Sequence, residues 1–358
     1  MNETTPGTGP IASVNRAPGY RRIATEEAWA PRELLELYRR ELADKTIDDP
    51  GFYSLWGYFA GASDRAQMLI ERIQDLGERR LTDMDATGID QQIVSLTSPG
   101  VQIFEAAQAT SLAKAFNDEL AEALRRHPAR FAGLAAIAPQ DAPRAAQELE
   151  RAVKRLNLKG AIVNSHTRGE YLDDQKFWDI FAACETLGVP LYLHPNTPSK
   201  AMIEPYLARG LDGAVFGFQA EAGLHAMRLI VAGVFDRFPR LQIVLGHLGE
   251  ALPYWLYRLD FMHGIMVRTK RYASAKALKK PISNYLRENF HYTTSGMAWQ
   301  PAIMYVHSVM GAERLLYAMD YPYQFVAEEV TTQDSLPLDA DDKRKFFQTN
   351  AERLFSLR

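Results

Sequence analysis

A chain of 358 residues that is 47% hydrophobic and 24% charged has the make-up of a globular protein with a large apolar core. Its net charge of −3 gives no field that would recruit nucleic acid or an anionic membrane, and no apolar run is long enough to span a bilayer. The single cysteine, Cys184, has no partner for an intrachain disulfide and, within Phe181-Ala182-Ala183-Cys184, reads as a buried, inert thiol.

Residues 1–20 are rich in Gly, Pro and Thr and lack the apolar core of a signal peptide, so they are expected to form a disordered arm. Residues 21–358 are expected to form a single domain of a cytoplasmic protein. Eight strand-like runs follow in order: Arg22–Glu26, Gln92–Thr97, Phe131–Ile137, Gly160–Asn164, Pro190–His194, Leu241–His247, Phe290–Thr294 and Leu315–Asp320. Most are nearly continuous apolar stretches, as expected of parallel strands buried on both faces. Helical patterns such as Leu112–Leu120 and Ala145–Val153, with apolar residues three and four apart, lie between them.

Eight strands alternating with helices predict an α/β fold, a (β/α)8 TIM barrel. A doubly wound open sheet is the alternative, but no Gly-rich dinucleotide loop follows any strand. Two segments exceed what a minimal barrel needs, Pro31–Asp75 with the aromatic stretch Phe52–Phe59, and Pro195–Arg240. Both begin where strands end, so both are expected to cover the C-terminal mouth, where barrel enzymes keep their sites.

Glu26, His194, His247 and Asp320 each end a predicted strand. Singly, such residues are more often loop hydrogen-bonders than ligands. Together, converging on one mouth, two carboxylates and two imidazoles could hold a divalent ion and leave positions open for a substrate.

The stretches Thr25-Glu26-Glu27-Ala28, Leu193-His194-Pro195, Gly246-His247-Leu248-Gly249-Glu250 and Asp320-Tyr321-Pro322 resemble the decarboxylase branch of the amidohydrolase superfamily. Met84–Asp90, Gly249–Asp260 and Tyr317–Gln324 extend the likeness into positions where the family touches substrate. The resemblance implies a barrel that releases CO2 from a hydroxylated aromatic acid with one divalent ion, working as a homodimer or homotetramer and without an organic cofactor. It makes Glu26, His194 and Asp320 the metal ligands and Asp320 the proton donor to the ring. His247, paired with Glu250, would bind or deprotonate the phenol, or else only orient its neighbours. Arg65 and Arg258 would bind a second anionic group of the substrate bidentately, with Tyr58, Thr97 and Tyr323 as further contacts.

Ala28 stands where many relatives carry a ligating His, which shifts the donor set toward oxygen and toward Mn2+, with Mg2+ or Zn2+ still possible. The fourth strand ends Val163-Asn164-Ser165-His166, without the lysine of a two-metal centre, which disfavours bridging-hydroxide hydrolysis. The resemblance makes decarboxylation of 5-carboxyvanillate the leading expectation. γ-Resorcylate or 2,3-dihydroxybenzoate decarboxylation, one-metal lactone hydrolysis and a non-catalytic binding barrel are the alternatives.

Overall fold

The computed structural model describes residues 19–357, and the greater part of the expected N-terminal arm lies outside them. Of its last two residues, Tyr20 is held: its ring stacks on Phe347 at 4.8 Å and its hydroxyl donates to Asp334.

All eight expected strands form, and all pair in parallel. They are β1 (Ile23–Trp29), β2 (Gln91–Leu96), β3 (Phe131–Gly133), β4 (Ala135–Ala136), β5 (Ala161–Asn164), β6 (Leu191–His194), β7 (Ile243–Leu245), β8 (Phe290–Thr293) and β9 (Leu315–Leu316). β3 and β4 are two halves of the third barrel strand, changing neighbours at Leu134: β3 pairs with β2, and β4 with β5. The remaining strands follow in order from β5 to β9. Hydrogen bonds from Thr25 N–H to the Tyr317 carbonyl (3.0 Å) and from Ala28 N–H to the Tyr321 carbonyl (2.7 Å) tie the chain beyond β9 back to β1 and complete the (β/α)8 barrel.

The helices form where the apolar period predicts them and stop where capping chemistry ends them. In Ala142–Leu156, Ala145, Leu149 and Ala152 are buried in turn, the Asp141 side chain accepts from Arg144 N–H, and Asn157 ends the helix in a left-handed conformation. Packed rings of side chains fill the barrel. Its lower layer holds Ile23, Ile93, Leu134, Ile162, Val244 and Leu316, closed by Ala351 and Phe355 from the C-terminal helical segment.

The first insertion folds as the helices Arg32–Asp44, Pro50–Phe59 and Asp64–Gln74. Asp49 caps the second by accepting from Gly51 and Phe52 N–H, and Trp56 and Tyr38 donate to the Ser98 and Gly100 carbonyls of the loop beyond β2. The second insertion meets the first at Gly51, where a Cβ would lie 2.0 Å from Thr197 Oγ1, so only glycine permits the contact. Among the described residues, no helix is long and apolar enough to cross a membrane.

Candidate active site

Glu26 reaches the mouth because β1 is bulged. The pairing passes from Ala24 opposite Gln92 to Glu27 opposite Val94, so one extra residue is accommodated beside Ile93. The Glu26 carboxylate is buried, and its two oxygens differ. Oε2 accepts from the hydroxyls of Tyr192 and Thr293, the latter at 2.7 Å. Oε1 is buried with no hydrogen-bond partner and lies 3.5 Å from His194 Nε2 and 3.9 Å from His247 Nε2.

Both imidazoles are held from behind. His194 Nδ1 lies 2.8 Å from the Pro195 carbonyl, which fixes the proton there and leaves Nε2 with its lone pair toward Glu26. Burial lowers the His194 pKa, against the opposing pull of Glu26. His247 Nδ1 lies 2.8 Å from Oε1 of the buried Glu250. Burial alone would push His247 down, but Glu250, Glu26 and Asp320 outweigh it and raise the pKa to about 10. Glu250 is itself raised by burial, with His247 working the other way.

The turn that carries His247 is strained. His247, Leu248, Glu250 and Ala251 all have positive φ, a cost on the order of 1–3 kcal/mol for each such residue. Gly249 in their midst has φ +85°, and a Cβ there would sit 2.6 Å from the Tyr292 ring. That accounts for the glycine at position 249.

Asp320 leaves the ladder beyond β9 with φ +73°. A Cβ on Gly296 would be 3.4 Å from the His247 ring and 3.7 Å from Asp320 Oδ2, so the two side chains border the same small space. Burial, and next the charge of Glu26, push the Asp320 carboxyl well above the usual range, with His247 opposing.

These groups open on a cavity of about 300 Å3. His194, His247 and Asp320 form its polar floor, with Thr97, Ser98, Arg65, Tyr323 and Gln324 beside them. Leu55, Tyr58, Phe59 and Leu69 from the first insertion and Ala214 and Phe218 from the second make apolar walls. Tyr323 hydrogen-bonds Thr97 at 2.5 Å, and Arg65 donates to the Tyr323 carbonyl at 3.1 Å. Glu26 lies beneath the floor and Glu250 behind His247.

Arg258 is not brought there. It sits on the helix Leu256–Arg268 and borders a separate apolar depression with Met227, Trp255 and Met262. Within its own chain it is separated from the cavity, because residue 258 is carried beyond the strand end onto an outer helix. Sequence reasoning missed Tyr192 and Thr293, although alternation along β6 places Tyr192 on the same face as His194, and Thr293 ends a strand. The apolar wall residues Leu55, Phe59, Leu69 and Phe218 carry no signal that separates them from core.

The donor chemistry fits a cation. A buried carboxylate oxygen without a partner, an imidazole with a free lone pair and a second carboxyl in one desolvated space would repel one another unless a positive charge or a proton intervened. Among the described residues, no three His, Cys, Asp or Glu side chains are already drawn into a finished ligand cluster. The fit rests on the orphaned Glu26 oxygen and the orientation of His194.

Comparison with known proteins bears on this chemistry. Residues 66–357 match the Amidohydrolase family model. The crystal structure of 5-carboxyvanillate decarboxylase from Novosphingobium aromaticivorans, complexed with manganese and 4-hydroxy-3-methoxy-5-nitrobenzoic acid, superposes with a TM-score of 0.94. It is 51% identical, covering 98% of this chain and 100% of that one. A dihydroxybenzoic acid decarboxylase from Polaromonas, with bound manganese and 2-nitroresorcinol, gives a TM-score of 0.83 at 33% identity over 95% of this chain and 98% of that one. γ-Resorcylate decarboxylase of Rhizobium radiobacter is 36% identical over 344 residues, 94% of this chain and 98% of its own length.

Proposed function

The chain belongs to the amidohydrolase family, and we propose that it is a metal-dependent carboxy-lyase that converts 5-carboxyvanillate to vanillate and CO2. The observation that carries this reading lies at the base of the cavity: an unpartnered buried Glu26 oxygen, beneath the floor, faces two imidazoles that form the floor with Asp320. Likeness at 51% identity to a decarboxylase of that substrate, crystallised with manganese, supports it.

Glu26, His194 and Asp320 would hold one divalent ion. Two carboxylates and a single imidazole make a hard, oxygen-rich set that favours Mn2+, with Mg2+ or Zn2+ chemically admissible. When bound, the ion would supply a Lewis acid that stabilises negative charge developing on the substrate.

Asp320 is the acid. Its carboxyl borders the same small space as His247 on the cavity floor, and the proton it carries would pass to the ring carbon that bears the carboxylate. The new C–H bond interrupts aromaticity and makes the ring an electron sink. The C–C bond then breaks, its electron pair restores the arene, and CO2 leaves. One carboxylate and one proton become one arene C–H and one CO2, so the reaction balances without an organic cofactor. His247, oriented by Glu250 through its Nδ1, faces the same space and pairs with the phenolate. Arg65, Thr97, Tyr58 and Tyr323 border the space for the remaining ring substituents, where a guanidinium suits a second carboxylate.

We expect a homodimer or homotetramer. Tyr254, Trp255, Tyr257 and Phe261 form an exposed aromatic face beside Arg258, so a substrate contact from Arg258 would require a second copy.

The test is a substrate panel with Mn2+-loaded enzyme. The expected result is kcat/KM for 5-carboxyvanillate exceeding that for 2,6- and 2,3-dihydroxybenzoate by on the order of 100-fold, because the smaller acids leave Arg65 without its anion. Preference for 2,6-dihydroxybenzoate would move the chain to γ-resorcylate decarboxylation, and lactone opening without CO2 would make it a hydrolase.

A further inference from the structure

Glu27 is the neighbour of Glu26 and points elsewhere. It is wholly buried, and its carboxylate meets the chain on both sides of Asp320: Oε1 accepts from Met319 N–H at 3.0 Å and Oε2 from Tyr321 N–H at 3.2 Å. Oε2 also takes the Gln92 side-chain amide at 3.2 Å. We propose that Glu27 is a positioning residue for the decarboxylation, a clasp that holds Asp320 in its left-handed backbone conformation with its carboxyl at the cavity. The proposal rests on the reading of Asp320 as ligand and proton donor.

The backbone explains why a clasp is needed. β1 binds the returning chain twice, Thr25 N–H to the Tyr317 carbonyl and Ala28 N–H to the Tyr321 carbonyl. Between and beside those bonds, the Met319 and Tyr321 N–H groups donate to the Glu27 side chain and not to the β1 backbone. The carboxylate takes the place of a backbone acceptor there. The bulge before it supplies the geometry, since the extra residue in β1 lets Glu26 and Glu27 serve different neighbours.

The far side of the clasp is fixed as well. The buried Arg80 guanidinium stacks on the Tyr321 ring at 4.5 Å and donates to the Ala28 carbonyl, and the Tyr321 hydroxyl donates to Asp83 at 2.9 Å. Three N–H donors aimed at one carboxyl call for an acceptor on every side. A carboxamide accepts through one atom only, so glutamine would set an NH2 against one of the two backbone N–H groups. Asp320 would then lose its left-handed hold while the cavity walls stayed in place.

The experiment compares the parent with Glu27→Gln, and with the charge-balanced double variant Glu27→Gln/Arg80→Met in case the single change leaves too little folded protein. Each is loaded with Mn2+ and assayed for kcat per bound manganese, KM for 5-carboxyvanillate and the Mn2+ electron paramagnetic resonance spectrum. The expected result is a fall in kcat per bound manganese of about 10–100-fold, with KM within about threefold and a changed Mn2+ spectrum. A variant whose kcat per bound manganese stays within about twofold of the parent, with an unchanged spectrum, would overturn the proposal and leave Glu27 a purely structural role. If the parent binds Mn2+ but releases no CO2, the functional reading fails, and the spectra of parent and variant still decide the clasp.

Discussion

At the lower end of the barrel, Ile23, Ile93, Ile162, Val244 and Leu316 meet Phe355 in an apolar plug. At the upper end the same strands present Glu26, His194 and, just beyond them, His247 and Asp320, with a buried oxygen left unpaired on each of Glu26 and Glu250. Backbone strain is concentrated at the upper end. The turn residues His247, Leu248, Glu250 and Ala251, together with Asp320, have positive φ around the mouth, while β5 to β8 beneath are evenly paired. Tyr192 joins the layers, its ring in the plug and its hydroxyl on Glu26. The difference teaches that the lower layers hold the barrel closed and so permit an arrangement above that would not be stable alone.

Substitutions can break that division. The largest expected effect is on stability at the lower end: Phe355→Ala should cost about 3–5 kcal/mol by leaving a cavity under the plug. Denaturant titration would read this as a lower midpoint with an unchanged slope, while kcat of the folded fraction stays near the parent. A large fall in kcat per folded molecule would show that the two ends are not separable. Next comes Glu250→Gln at the upper end, which keeps the shape but withdraws the charge that holds His247 cationic. It should lower kcat about 10–100-fold with little change in the melting temperature, and equal losses of stability and rate would blur the comparison.

The smallest effect compares acid sensitivity. His225, in the helix Gly217–Val231 behind the mouth, and His291, at the lower end beside Gln242 and Arg314, are both pushed down to about 3, chiefly by burial. Their folded pKa values lie below that of an unfolded histidine, so the unfolded chain takes up the proton first. Each should leave stability intact above about pH 6.5 and lower it by about 1.4 kcal/mol per pH unit as pH falls toward 3. Chemical denaturation at pH 7, 6 and 5 of His225→Gln and His291→Gln would show a shallower decline in each. A parent-like decline in one variant would locate the acid-sensitive group at the other end.

Much of this was legible in the sequence because buried parallel strands leave continuous apolar runs and their ends carry the polar residues. Glu26, His194, His247 and Asp320 were found in that way, and the aromatic stretch Phe52–Phe59 proved to be a helix of the first insertion. What stayed hidden depends on one-residue geometry. Nothing in Thr25-Glu26-Glu27 announces a bulge, so two adjacent glutamates looked alike until their hydrogen bonds separated them. The eighth strand was expected to run to Asp320 but pairs only through Leu316, because Asp320 turns out of the ladder. That Arg258 lies away from the cavity of its own chain was hidden too, because distance along a helix does not reveal which way that helix faces.

The central claim is tested most directly by adding 5-carboxyvanillate to the Mn2+-loaded protein and to Asp320→Asn, and following vanillate and CO2 together. The account predicts one vanillate and one CO2 per substrate consumed from the parent, and a rate lower by on the order of 1,000-fold in the variant. A folded, manganese-bound parent that yields neither product, or an Asp320→Asn variant that matches the parent, would contradict it.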